Sequence, residues 1–219
     1  MTLFRLVPLV LLPLFLSACD ERWGWRQKVT VTVETPEGER VGESVLAGSL
    51  RHSDGPLVVP EARGASSSLR GEAVVVEVGP GRYLFALLNG MPTPFPVFFP
   101  GEAPVEMADR LEDLRESREV PPELYPLLVT FDDMANPKTV RRVDPSDLAA
   151  SFGPGVALTS VTLEITDEAV TEGRVEEVLG WLKQIWPNHL DGERYETIEA
   201  TNRLANSLSA NSFSTEIGK

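Results

Sequence analysis

Few residues of this chain have types and spacing that chemistry needs. There is one cysteine, Cys19, and two histidines, His52 and His189. His52-Ser53-Asp54 sets three triad residue types side by side. A nucleophile, base and orienting acid are brought together from separate segments, so three adjacent residues read as a polar turn. Ser66, Ser67 and Ser68 follow Gly64-Ala65 without the glycine spacing of a nucleophile elbow. Two distant histidines do not make a zinc site, and no glycine pattern fits a phosphate or dinucleotide loop.

Two acidic clusters remain. Asp132-Asp133, with Asn136 nearby, offers hard oxygen ligands of the kind calcium takes, but not the spacing of an EF-hand loop. A solvated strand end is the competing reading, and the same holds for Asp167-Glu168. If the strands before the two clusters pair in parallel, both clusters share one sheet edge. Paired carboxylates also suit glycoside hydrolysis, although nothing fixes their separation. Trp181 and Trp186 lie five residues apart on an expected helix and point in different directions. Trp186 continues the apolar face. Trp181 covers a neighbouring element or projects outward to stack on a sugar. No catalytic, metal or cofactor-binding residue is assigned.

The first residues have three zones. Arg5 is positive, Leu6 to Leu16 is apolar but for Pro8 and Pro13, and Ser17-Ala18 are small. That order is a secretory signal over residues 1–18. The apolar run is shorter than the roughly 20 residues that a bilayer core requires. Leu16-Ser17-Ala18-Cys19 resembles the lipobox of bacterial lipoproteins. The resemblance implies cleavage before Cys19, lipid on its sulfur and acylation of its new amine. Asp20 resembles the inner-membrane retention signal of enterobacterial lipoproteins, which implies the periplasmic face of the inner membrane. Asp20 to Gln27 reads as a tether of at most about 28 Å. Its Trp23 and Trp25 either lie in the headgroup zone or pack on the domain edge.

Removing residues 1–18 takes away one of 20 basic residues. It leaves 19 against 33 acidic ones, a formal charge of −14. That balance argues against nucleic acid, which is held by clustered Lys and Arg. About 200 residues remain, enough for one large or two small domains. No second apolar stretch is long enough to cross a bilayer. As the sole cysteine, Cys19 leaves the chain without an internal disulfide.

The elements that must position these residues read as α+β. An N-terminal antiparallel β-sandwich-like module over 28–90 precedes a Pro-rich crossover and helix over 91–122. A smaller α/β half with a polar tail covers 123–219. Val29–Glu34 alternates as a half-buried strand. Thr35-Pro-Glu-Gly38 is a turn, and Val41–Leu50 is the partner strand. Residues 51–70 read as loops around a short strand at Leu57–Val59. Glu72–Val78, Gly79-Pro-Gly81 and Arg82–Leu88 make the clearest hairpin. The run of strand, "PEGERVGESV" turn, loop and "GPGRYLFAL" resembles a prealbumin-like or carboxypeptidase-regulatory-like sandwich, which implies a fold and no activity.

Five prolines between Pro92 and Pro104 interleave with Phe95, Phe98 and Phe99 and predict extended backbone. The strip is either an exposed docking surface or a crossover whose rings plug the core. Helices are predicted over Val105–Arg118, Asp144–Phe152 and Glu172–Trp186, and strands over Tyr125–Phe131 and Val161–Ile165. The tail from Tyr195 fits a strand, a ragged helix or loops. The stretch from Leu127 to Thr171 is similar to a block of uncharacterised bacterial exported proteins.

The leading expectation is a non-enzymatic, membrane-anchored envelope module that works by contact with another envelope protein or the cell wall. Its candidate surfaces are the Phe95–Phe99 strip and the loops around 51–70. A small-ligand or metal-ion accessory lipoprotein and a carboxylate-dependent envelope hydrolase are the alternatives.

Overall fold

A computed structural model describes residues 20–54, 63–111 and 113–217. The alternation over Val29–Glu34 continues in both directions. Strand β1 runs from Asp20 to Thr35 and β2 from Gly38 to Ser53. They pair antiparallel from Asp20↔Ser53 to Thr35↔Gly38. The turn is closed by Thr35, whose hydroxyl donates to the Gly38 carbonyl at 2.7 Å. Gly38 sits at φ +109°, a conformation glycine adopts without a Cβ clash. Residues 20–27, expected as a tether, are therefore the first half of a strand. Pairing with β2 satisfies the backbone groups on one flank of this segment, and Trp25 and Gln27 are buried.

The chain continues through β3 (Gly64–Arg70), β4 (Val74–Gly79) and β5 (Arg82–Ala86). Two short helices come next, α1 (Pro94–Phe98) and α2 (Pro104–Met107), the second tightening into a 3₁₀ turn to Leu111. Then come β6 (Ser117–Glu119), β7 (Leu128–Phe131), β8 (Val140–Arg142), α3 (Ala149–Phe152) and β9 (Ala157–Ile165). The last elements are α4 (Arg174–Val178), α5 (Leu182–Ile185) and α6 (Arg203–Ser207).

The strands form two antiparallel sheets, ordered β3-β2-β1-β9-β6 and β4-β5-β7-β8. The first packs Val29, Val31, Val33, Leu46 and Leu163 against Val74, Val76, Leu84 and Leu128 of the second. On its far face the second sheet presents Phe85, Val129, Phe131 and Val140 to Val175, Leu179, Leu182, Leu208 and Phe213. Strands β5 and β7 are thus covered on both faces. This is why "YLFA" and "LVTF" read as continuous apolar runs while β1 alternates. Close approach of the sheets needs Gly42, where an added Cβ would stand 2.2 Å from the Val75 carbonyl oxygen.

This topology does not respect the division into 28–90 and 123–219. From the second half, β9 sits beside β1 in the first sheet, and β7 and β8 extend the second. Each sheet is built from both halves.

The expected helices are shorter than their apolar periods suggest. The stripe over Val105–Arg118 ends at Leu111, because Ser117–Glu119 pairs with the edge of β9 and Val120 N–H donates to the Val161 carbonyl. The 172–186 helix divides into α4 and α5 across Leu179–Trp181. Gly180 is a weak helix former, and the Trp181 indole donates to the Met134 carbonyl at 2.7 Å, which fixes that corner. Of the expected 144–152 helix, Ala149–Phe152 is helical. Asp144 instead caps a turn by accepting from the Ser146 N–H and hydroxyl. The Pro-rich segment is partly helical rather than extended. Pro94 and Pro96 fall in the first turn of α1, where an N–H has no helical partner to lose. The tail forms α6, capped by Asn202, whose side chain accepts from Ala205 N–H at 3.1 Å. The predicted strand at Leu57–Val59 lies outside the described residues.

Candidate functional site

Cys19 and residues 1–18 also lie outside the described residues. The first described residue, Asp20, is already in β1, opposite Ser53 of β2. Trp23 is partly buried, and its indole donates to Asp109 at 2.6 Å. Trp25 is buried edge-on to Phe95, with ring centroids 5.3 Å apart. Its indole donates to Gln27, and the Gln27 amide donates to the Pro92 carbonyl. Of the two expectations for this pair of rings, packing on the domain is the one the structure shows.

Triad chemistry finds no support at His52-Ser53-Asp54. The three lie at the end of β2 and just past it, where successive side chains point to opposite faces. Ser53 is buried, Asp54 is exposed, and His52 Nδ1 lies 3.7 Å from a Glu21 carboxylate oxygen. Ser66 to Ser68 stand exposed on β3, with the Ser68 hydroxyl bonded to that of Ser49.

The acidic clusters do not meet. Asp132-Asp133 lies past the end of β7 in the second sheet, and Asp167-Glu168 past the end of β9 in the first, so no parallel pairing brings them to one edge. Each also has cationic partners. Asp132 accepts from Arg141 at 2.6 Å, and Asp167 lies within reach of Arg26 and Arg115. Glu168 is bound by Lys28. That bond holds Glu168 below the usual carboxylate range and raises Lys28. Asp133 accepts from the Ala135 N–H within its own turn. Among the described residues no group of three or more His, Cys, Asp or Glu is placed to hold a metal.

The Phe strip is not a surface. Phe95, Phe98 and Phe99 are each at most 5 % exposed. Their rings join the core that the two sheets share, which removes this candidate docking face. Trp181 packs edge-on to Phe131 at 5.6 Å, in the core rather than towards a sugar. Trp186, expected on the apolar face, is 45 % exposed because α5 ends at Ile185.

Sequence reasoning passed over two features. The first is Glu72, a carboxylate only 1 % exposed. It accepts from the N–H groups of Arg174 and Val175 at the start of α4, while its own carbonyl accepts from the Ser44 hydroxyl. One residue thereby ties β2, the second sheet and α4 together. Burial, opposed by those N–H groups, pushes its acidity to higher pH. It looked like the polar start of a strand, and only the returning chain buries it. The second feature is a cleft of about 610 Å³ beside β7 and β8. Leu127, Leu128 and Val143 form its apolar wall, and Tyr125, Asn89 and Arg142 bring polar groups to it. The Arg142 guanidinium has no side-chain partner among the described residues. Burial and Glu119 push the Tyr125 hydroxyl to higher pKa, so it stays a donor.

Compared with family models, with curated proteins and with solved structures, the chain matches none of them. No helix among the described residues is long and apolar enough to cross a membrane.

Proposed function

We propose that this chain is a lipid-anchored lipoprotein of the bacterial cell envelope that works as a non-enzymatic binding or structural module. The observation that supports it is a juxtaposition. The Leu16-Ser17-Ala18-Cys19 motif stands immediately before Asp20, the first described residue, which is already paired in β1. A lipid on Cys19 would then be joined directly to the first sheet, with no flexible spacer between bilayer and domain. One acyl chain holds a protein marginally while several hold it firmly, and the lipobox reading supplies several. The proposal places the protein on the periplasmic face, with Asp20 favouring the inner membrane. Its partners are the membrane and another envelope protein, with no nucleic acid. The finer fold assignment, α+β with a prealbumin-like sandwich, belongs to the same proposal, the sandwich being completed by β6 to β9 from the later part of the chain.

Radiolabelled palmitate is expected to enter the native protein, and Cys19→Ser is expected to lose both label and membrane retention. Label in the Ser variant overturns the assignment.

The cleft at Tyr125 and Arg142 favours a second reading, a small-ligand accessory lipoprotein. One guanidinium and one phenol against an apolar wall suit a small carboxylate. Small aliphatic and aromatic carboxylates at millimolar concentration are expected to raise the melting temperature, and Arg142→Ala to abolish the rise. No rise with any of them removes this reading.

A further inference from the structure

Among the described residues, four large apolar side chains are exposed: Val41, Trp186, Tyr195 and Ile198. Three of them fall between the end of α5 and the start of α6. Tyr195 is 78 % and Ile198 82 % exposed. Apolar residues scattered singly on a surface need no explanation. These two stand three residues apart on one loop, and the loop is held from behind.

Asn206 of α6 is fully buried. Its side-chain oxygen accepts from Thr197 N–H at 2.6 Å, and its amide nitrogen donates to the Tyr195 carbonyl at 3.2 Å. Within the loop, the Thr197 hydroxyl accepts from Glu199 N–H. At its base the Glu193 carbonyl accepts from His189 N–H. One buried amide thus fixes the backbone on both sides of Glu196 and holds Tyr195 and Ile198 outward. A loop ordered in advance loses less entropy when it binds.

The loop's charge decides what can cover it. Residues 191–199 carry Asp191, Glu193, Glu196 and Glu199 against Arg194 alone. An anionic lipid surface attracts basic segments and repels this one. A second copy of a chain with formal charge −13 is disfavoured on the same ground. We infer that the Tyr195–Ile198 loop is a docking surface for a protein partner that offers an apolar pocket rimmed by Lys and Arg. Aromatic anchors seated in such pockets carry most of an interface's affinity, and the surrounding opposite charges steer the approach. The inference rests on the binding-module reading and names the surface and the partner's chemistry.

The test is photo-crosslinking in the native envelope with the full chain. A benzoylphenylalanine is placed at position 198, and in a control at position 68 on exposed β3. Position 198, not 68, is expected to capture one protein through a peptide with apolar residues flanked by Lys or Arg. Glu196→Lys with Glu199→Lys is expected to cut that yield at least tenfold with the melting temperature unchanged. Capture of lipid, of a second copy or of nothing overturns the inference, as does a yield indifferent to the charge reversal. Palmitate labelling of the same cells reads the anchor separately. An unlabelled protein that still crosslinks would refute the anchor and leave the docking surface standing.

Discussion

Glu72 shows how one side chain can serve a fold and oppose it. Its carboxylate fills two N–H groups of α4 that no helical carbonyl reaches. Burial nevertheless favours the protonated form, so its acidity is shifted up. A group raised in the folded state contributes its full stability below the unfolded value, about pH 4.3 for a glutamate. That contribution is lost as pH rises through the folded value. Glu72→Gln cannot ionise and should lack this loss. The stability advantage of the native protein over Glu72→Gln, read from urea midpoints, is expected to shrink as the pH rises above about 4.3. A widening gap would mean that the N–H bonds to the anion outweigh its desolvation. Glu72→Ala takes the acceptor from both N–H groups, that of Val175 buried, and is expected to cost about 1–3 kcal/mol. The calcium reading loses the shared sheet edge it called for. Asp132 and Asp167 stand on different sheets and face arginines. Millimolar calcium is therefore expected to leave the melting temperature unchanged, and a rise of several degrees would restore the metal site.

At the scale of elements, the β1–β2 ribbon is held by what lies on it. Gly48 is opposite Trp25 in the register, and an added Cβ there would stand 2.1 Å from the indole ring. A Cβ on Gly24 would come no nearer than an ordinary 3.9 Å, to the Gly48 carbonyl oxygen. Gly48→Ala should therefore lower stability by about 1–3 kcal/mol through overpacking, while Gly24→Ala changes it little. Equal urea midpoints for the two variants would show that Trp25 moves aside without cost. The pairing of β1 was legible from its alternation, and so was the hairpin of β4 and β5. Helix lengths were not. Val175, Leu179 and Leu182 keep a helical period across a corner, because the period records which residues face the sheet and does not record whether the backbone between them stays helical. Trp181 makes that corner by reaching Met134.

At the scale of the whole molecule, the sheets draw on both halves of the chain. Without β9, the flank of β1 from Gln27 to Glu34 loses its partner, and without β7 the second sheet ends at β5. Residues 20–90 expressed alone are expected to stay unfolded by circular dichroism and amide dispersion. A folded fragment would show that the N-terminal sandwich-like module is autonomous after all. Local features could be read from the chain alone: the three zones before Cys19, the alternation of β1, the turn at Gly38, the β-rich character and the acidic balance. Each depends on composition or on neighbours within a few residues. Tertiary packing supplied the others. It made a strand of residues 20–27, buried the Phe95–Phe99 strip, parted the two acidic clusters onto different sheets and buried Asn206 behind the Tyr195 loop. The physical reason is the same in each case. Whether a side chain is core, surface or clamp depends on which distant segment returns to cover it, and local pattern does not record that return.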